Sequence, residues 1–173
     1  MAGSNLLIDH VVLLVPDAAE AARTLRERGL GSERGAYHPF AGTRNHNVPL
    51  QPPAYLEFLT IESRSAAESS EAGRAVLACE AAGFGVFSWA VLVEDLEAAS
   101  SRLGIHIVDH TIPHGDGTLR GWRTITGPPQ LPVLIDYPNN GDRIGRWRAM
   151  YERVGHTCAP NGFSQVTISG SER

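Results

Sequence analysis

Leu6–Leu30, LLIDHVVLLVPDAAEAARTLRERGL, holds a strand, a turn and a capped helix in one run. From Leu6 to Val15 the residues are apolar except for Asp9 and His10. Alternation sets Ile8, His10, Val12 and Leu14 on one face, and Leu7, Asp9, Val11 and Leu13 on the other. A strand apolar on both faces is covered on both faces. Pro16 has no N–H for a ladder and ends it. Asp17 then reads as a helix cap, with Glu20 three residues on to bond back. Ala18, Ala21, Ala22 and Leu25 form the inner stripe, Arg23, Arg26, Glu27 and Arg28 the wet side, and Gly29 the left-handed end.

The pattern returns near Phe84. VFSWAVLVEDLEAASSRLG aligns with the first copy when Val93-Glu94-Asp95 is laid on Val15-Pro16-Asp17. Asp95 becomes the second cap, Leu96, Ala99 and Leu103 the second stripe, and Ser88 the counterpart of His10. A period of roughly eighty residues exceeds that of a solenoid and points to two similar modules closing on each other.

Composition sets the outer limits. The 173 residues are 42% hydrophobic and 20% charged, enough for a real core. A formal charge of −4 with scattered Lys and Arg carries no nucleic-acid footprint. No apolar run approaches the ~18–20 residues that cross a bilayer, and MAGSN lacks the basic start of a signal peptide, so the expected location is cytoplasmic, away from membranes. Cys79 and Cys158 read as free thiols.

Taken in order, the first module spans 1–63, with strands at Gly31–Tyr37, in GTRNHNVPL and at Ala54–Ile61. A linking helix covers 64–83. The second module, 84–138, repeats the order: strand Gly85–Val93, helix Leu96–Leu103, strands Ile105–Ile112, Leu119–Thr126 and Gln130–Tyr137. The remainder, 139–173, gives an amphipathic helix at Arg143–Val154, its arginines read as a solvated face, and a strand in Phe163–Ser169. That strand needs an edge to pair with, in its own chain or in a homodimer.

Two acidic residues stand inside apolar strands, Glu57 in AYLEFLTI and Asp136 in LPVLIDYP. A buried carboxylate is costly unless paired, hydrogen-bonded or metal-bound. Alternation puts Tyr55, Glu57, Leu59 and Ile61 on one face, and Asp136 is read as the counterpart of Glu57. His106 and His110 share a face but stand about 13 Å apart, too far to hold one ion, and read as surface or second-rank residues.

The order strand-helix-strand-strand-strand, twice, with IDHVVLLVPD, GTRN, YLEFL, GWRTIT and LPVLIDYP, resembles the vicinal oxygen chelate superfamily of glyoxalase, bleomycin-resistance and extradiol dioxygenase type, and within it the bacterial glyoxalase-like domains. The resemblance covers about Leu6–Pro138. It implies an α+β fold in which two βαβββ modules form an open, incomplete eight-stranded barrel, with a small-molecule ligand in the trough. It also implies metal ligands at His10, Glu57, Ser88 and Asp136. Ser88 departs from that pattern, because a neutral hydroxyl is a poor ligand for a divalent transition metal. His10, Glu57 and Asp136 remain as metal candidates, with Glu57 also the catalytic base, and Asn45, Ser88 and Trp122 as substrate contacts.

Two function classes stay open at this point. One is an enzyme using Mn, Fe, Ni, Mg or Zn as a lyase, isomerase or dioxygenase on a small oxygen-bearing substrate. The other is a metal-free protein of resistance type that binds and sequesters a small molecule. Metal-free catalysis by the same carboxylates lies between them.

Overall fold

The computed structural model describes residues 7–113, 117–128, 131–138 and 142–167. Two runs of the same order follow each other. The first is β1 (Leu7–Leu14), α1 (Ala18–Arg26), β2 (Glu33–His38), β3 (Thr43–Pro49) and β4 (Tyr55–Ile61). After α2 (Arg64–Ser69) and α3 (Glu71–Ala81) come β5 (Gly85–Leu92), α4 (Leu96–Leu103), β6 (Val108–Pro113), β7 (Leu119–Ile125) and β8 (Val133–Asp136), then α5 (Arg143–Arg153). The eight strands make one sheet in the order β2-β3-β4-β1-β5-β8-β7-β6, which is the same four-strand order read outward twice from the centre.

β1 and β5 meet antiparallel at that centre, and each lies parallel to the last strand of its own run. The sheet curls until β2 and β6 approach each other without a ladder, giving a barrel with one unsealed seam. The expected α+β architecture is the one observed.

The cap chemistry explains the helices. Asp17 accepts from the N–H groups of Ala19 (2.8 Å) and Glu20 (3.1 Å), and Asp95 accepts from Ala98 (2.8 Å). Glu20 does not complete a capping box, because its carboxylate is taken by Arg23 (Nε to Oε2, 2.9 Å). Gly29, at φ +88°, closes α1 with the N–H of Leu30 on the carbonyl of Leu25 and its own N–H on Arg26, both 3.0 Å.

Residues paired across neighbouring strands share a face. The outer face of the first module carries Val48, Leu56 and Phe58, packed with Ala18, Ala21 and Leu25 of α1. The concave face carries Val12, Leu14 and Leu59, closed at one end by Val76 and Cys79 of α3. His10, Asn45, Asn47 and Glu57 lie on that same face.

Three sequence readings are corrected. The linking helix is two helices, because Ser70 is extended and caps α3 through the Gly73 N–H (2.9 Å). Strands β6 and β8 are shorter than Ile105–Ile112 and Gln130–Tyr137, with part of the latter range outside the described residues. Phe163–Thr167 forms no strand; Phe163 instead packs on the α1 core, and the preceding tail is tied down by Gln51 N–H to Pro160 O and Thr157 N–H to Gly29 O, both 2.9 Å. The last two residues of the expected strand lie outside the described residues, as does most of the PHGDG turn.

Candidate functional site

His10 projects from β1 onto the concave face beside Glu57 of the parallel neighbour β4. Its Nε2 lies 3.9 Å from Glu57 Oε2, longer than a hydrogen bond. Asn45 of β3, on the same face, donates from Nδ2 to Glu57 Oε1 at 2.8 Å. One carboxylate oxygen is thereby clamped while the other faces the imidazole. All three residues are more than nine-tenths buried. Asn45 Oδ1 has no hydrogen-bond partner among the described residues, and Gly35 of β2 makes room for it: a Cβ there would stand 1.9 Å from that oxygen.

The other nitrogen of His10 is committed. A bulge at Asp9, where the β1–β5 register slips between Ile8 and His10, brings the Asp9 carboxylate to His10 Nδ1 at 2.7 Å. Asp9 is fully buried and accepts as well from Tyr137 Oη (2.8 Å) and Arg143 Nη2 (2.5 Å). Burial alone would push its carboxyl up. The His10 hydrogen bond and charge, the Arg143 guanidinium and the Tyr137 hydroxyl outweigh that and hold it below the ordinary range. An ionised acceptor on Nδ1 favours, whenever the ring is neutral, the tautomer with its proton there and the Nε2 lone pair toward Glu57.

Aromatic rings fix the imidazole plane. Tyr55 stacks on His10 with ring centroids 4.6 Å apart, and Trp147 of α5 stacks on Tyr55 at 4.1 Å. Desolvation raises the Tyr55 hydroxyl well above its usual value, so it remains protonated at neutral pH.

Asp136 is not brought to this cluster. His10 pairs with Ala90 and Val12 with Ser88, so the relation between the modules exchanges His10 with Ser88, as expected, and Val12 with Ala90. Val12 lies beside Glu57, and Ala90 beside Val133. Val133, not Asp136, is the counterpart of Glu57. Asp136 stands three residues further on and shares its face with Arg123, whose Nε donates to it at 2.9 Å while Arg123 Nη1 reaches Glu97 of α4 at 2.5 Å. That is the face covered by α4.

Ser88 does lie on the concave face, and so does Trp122, at its far side. There Trp122 stacks on His110 (5.2 Å) and meets His38 and Phe40 from the first module across the seam. His110 donates to or accepts from Thr124 at 2.9 Å, and His38 lies 3.4 Å from Thr43 Oγ1. Desolvation lowers both imidazoles below their ordinary value, so each is neutral at pH 7.

A resident divalent ion needs three or four converging donors. The four positions that the family pattern implies offer here an imidazole, a carboxylate, a hydroxyl and an aliphatic side chain. Among the described residues no group of three or more His, Cys, Asp or Glu converges on a point. The donor set does not fit a resident metal ion.

The sequence reading missed Asp9, Tyr137, Arg143 and His38. Asp9 was placed on the opposite face by strict alternation, which a bulge breaks. Arg143 was read as solvated, yet only 8% of its surface is exposed. Helical periodicity carries no signal for a buried arginine whose partner is far away in the chain. A fully apolar strand containing an Asp-His pair was the available hint.

Comparison with known proteins agrees with this architecture. No curated protein matches the chain. Among solved structures, a hypothetical protein from Staphylococcus aureus superposes with a TM-score of 0.68 at 14% identity over 85% of this chain, which spans only 65% of that one. Methylmalonyl-CoA epimerase from Mycobacterium tuberculosis gives 0.55 at 18% identity, covering 78% of this chain and 89% of the epimerase. A selenomethionine form of methylmalonyl-CoA epimerase gives 0.55 at 21%, covering 79% and 100%. Identities this low establish the shared fold. No helix among the described residues is long and apolar enough to cross a membrane. The family model described as a glyoxalase-like domain matches residues 8–173, almost the entire chain, and the protein belongs to that family.

Proposed function

We propose that the chain acts on a small hydroxy-carbonyl compound by proton transfer at the His10–Glu57 pair, as a lyase or isomerase that needs no resident metal. The observation that carries this is the pairing itself. A carboxylate with one oxygen clamped by Asn45 faces a histidine whose Nδ1 is taken by Asp9, so two proton acceptors stand side by side at 3.9 Å.

In this reading Glu57 Oε2 removes a proton from the carbon next to a carbonyl. The electron pair moves onto the carbonyl oxygen, giving an enolate, and the resulting Glu57 carboxylic acid returns the proton. His10 Nε2 accepts a hydrogen bond from the neighbouring substrate hydroxyl and orients it. His10, Asn45 and Glu57 make the first-module side of the site polar, and Ala90 and Val133 make the facing positions of the second module apolar, which suits a molecule with one oxygen-rich edge.

The test is solvent exchange. Protein treated with EDTA is incubated in D2O with a panel of α-hydroxy and α-oxo acids and ketones, and loss of the α-proton signal is followed by 1H NMR. The expected result is catalysed wash-out for at least one compound, abolished in Glu57→Gln and reduced in His10→Ala. No exchange with any compound would overturn the reading.

The lack of an acid or base at Val133 and Ala90 favours a second reading, a binding protein that sequesters such a molecule. Ligand-induced shifts without exchange would support it.

A further inference from the structure

The C-terminal helix α5 belongs to neither duplicated module, yet its first residue reaches the centre of the site. Arg143 donates to Asp9 Oδ1 at 2.5 Å, and its guanidinium carbon lies 3.9 Å above the Tyr137 ring and 6.0 Å from Trp147. Asp9 Oδ2 is shared between His10 Nδ1 and Tyr137 Oη. Each carboxylate oxygen therefore has its own partner, and rotation of Asp9 away from His10 would break a buried ion pair. About one turn further along the helix, Trp147 ends in the same place, because it covers Tyr55, which covers His10.

We infer that Arg143 is a positioning residue: it fixes the Asp9 carboxylate, and through it holds His10 in the tautomer whose Nε2 lone pair faces Glu57. The inference deepens the proton-transfer reading and rests on it for its catalytic consequence, but its structural content stands apart. Helix α5 thus completes a site whose other parts come from the first module and from Tyr137. Arg143 never touches a substrate; it acts through Asp9. A lysine in its place keeps the charge but loses the planar fork and the stacking on Tyr137, so it restores the arrangement only in part.

The experiment is 15N NMR of the His10 side chain in the full chain, at a pH where the ring is neutral. Nδ1 and Nε2 give widely separated shifts when one tautomer dominates, and the two converge when tautomers mix. The expected wild-type pattern is a protonated Nδ1 and an unprotonated Nε2. Arg143→Met should move the two shifts toward each other, and Arg143→Lys should restore most of the separation. Should Arg143→Met not fold, Arg143→Gln, which keeps a polar side chain but neither the charge nor the reach to Asp9 Oδ1, is read in its place, with the same direction expected. Arg123→Met, on the face under α4, is the control and should leave His10 unchanged. A wild-type His10 pattern in Arg143→Met or Arg143→Gln overturns the inference, as does a wild type protonated on Nε2. Because no substrate is involved, failure here is separable from failure of the solvent-exchange test: a shifted tautomer with no exchange in any compound would leave Arg143 as the positioning residue of a binding site.

Discussion

Replacing Arg143 with methionine should be among the costliest single changes in the chain. Asp9 is fully buried and Arg143 is 8% exposed, so the pair is shielded from solvent on both sides. Removing one partner of a buried pair costs about 3–5 kcal/mol, because the other charge stays buried without compensation. Asp9 keeps His10 and Tyr137, which favours the lower end of that range. For a domain of this size the same loss is a fall in Tm on the order of 6–20 °C. The measurement is urea unfolding of wild type, Arg143→Met, Asp9→Leu and the double variant, monitored by circular dichroism. If the pair is coupled, the double variant loses less than the two single losses added, by about 2 kcal/mol or more. A loss under about 1 kcal/mol in Arg143→Met, or strict additivity in the cycle, would refute the claim that this ion pair is buried and mutual.

Further expectations follow from the same geometry. Gly35→Ala should push Asn45 off β2, free the Glu57 carboxylate and cost about 1–3 kcal/mol by thermal unfolding, since the new Cβ would sit 1.9 Å from Asn45 Oδ1; an unchanged Tm would argue against the close approach. Burial holds the His38 imidazole below its ordinary value, so the unfolded chain takes up its proton first as pH falls. Stability is then full above the unfolded value near 6.5 and is lost as pH drops from there toward the folded value, with a slope of up to about 1.4 kcal/mol per pH unit from this group. Urea titrations at pH 7.5 and 5.5 should show that loss shrink in His38→Phe. Arg123→Met should leave solvent exchange at the trough unaltered while lowering stability by about 0.5–1 kcal/mol, because Asp136 and Glu97 lose a partner on the opposite face.

The parts of this fold that repeat locally were legible in the sequence. Asp17 and Asp95 announce two helices, Pro16 ends a strand, and alternation alone puts His10 and Glu57 on chosen faces. The symmetric register His10–Ala90 and Val12–Ser88 matches the internal alignment that laid Ser88 on His10. What failed was counting along β8. Asp136 and Val133 both sit in one short apolar strand, and the residue that aligns with Glu57 depends on the β5–β8 register, which no local pattern encodes. Arg143 was illegible for a different reason. A basic residue opening an amphipathic helix reads as wet unless its partner is known, and that partner stands 134 positions earlier. The bulge at Asp9 hid the partner in turn, since strict alternation sends Asp9 away from the site that it supports.

His10 and Glu57 stand together without the second-module ligands that a bound ion needs. Titrating EDTA-treated protein with Mn²⁺, and following the relaxation rate of water protons, addresses that directly. The expected result is no site tighter than about millimolar and the same curve for His10→Ala. A stoichiometric micromolar site that disappears in His10→Ala would contradict it.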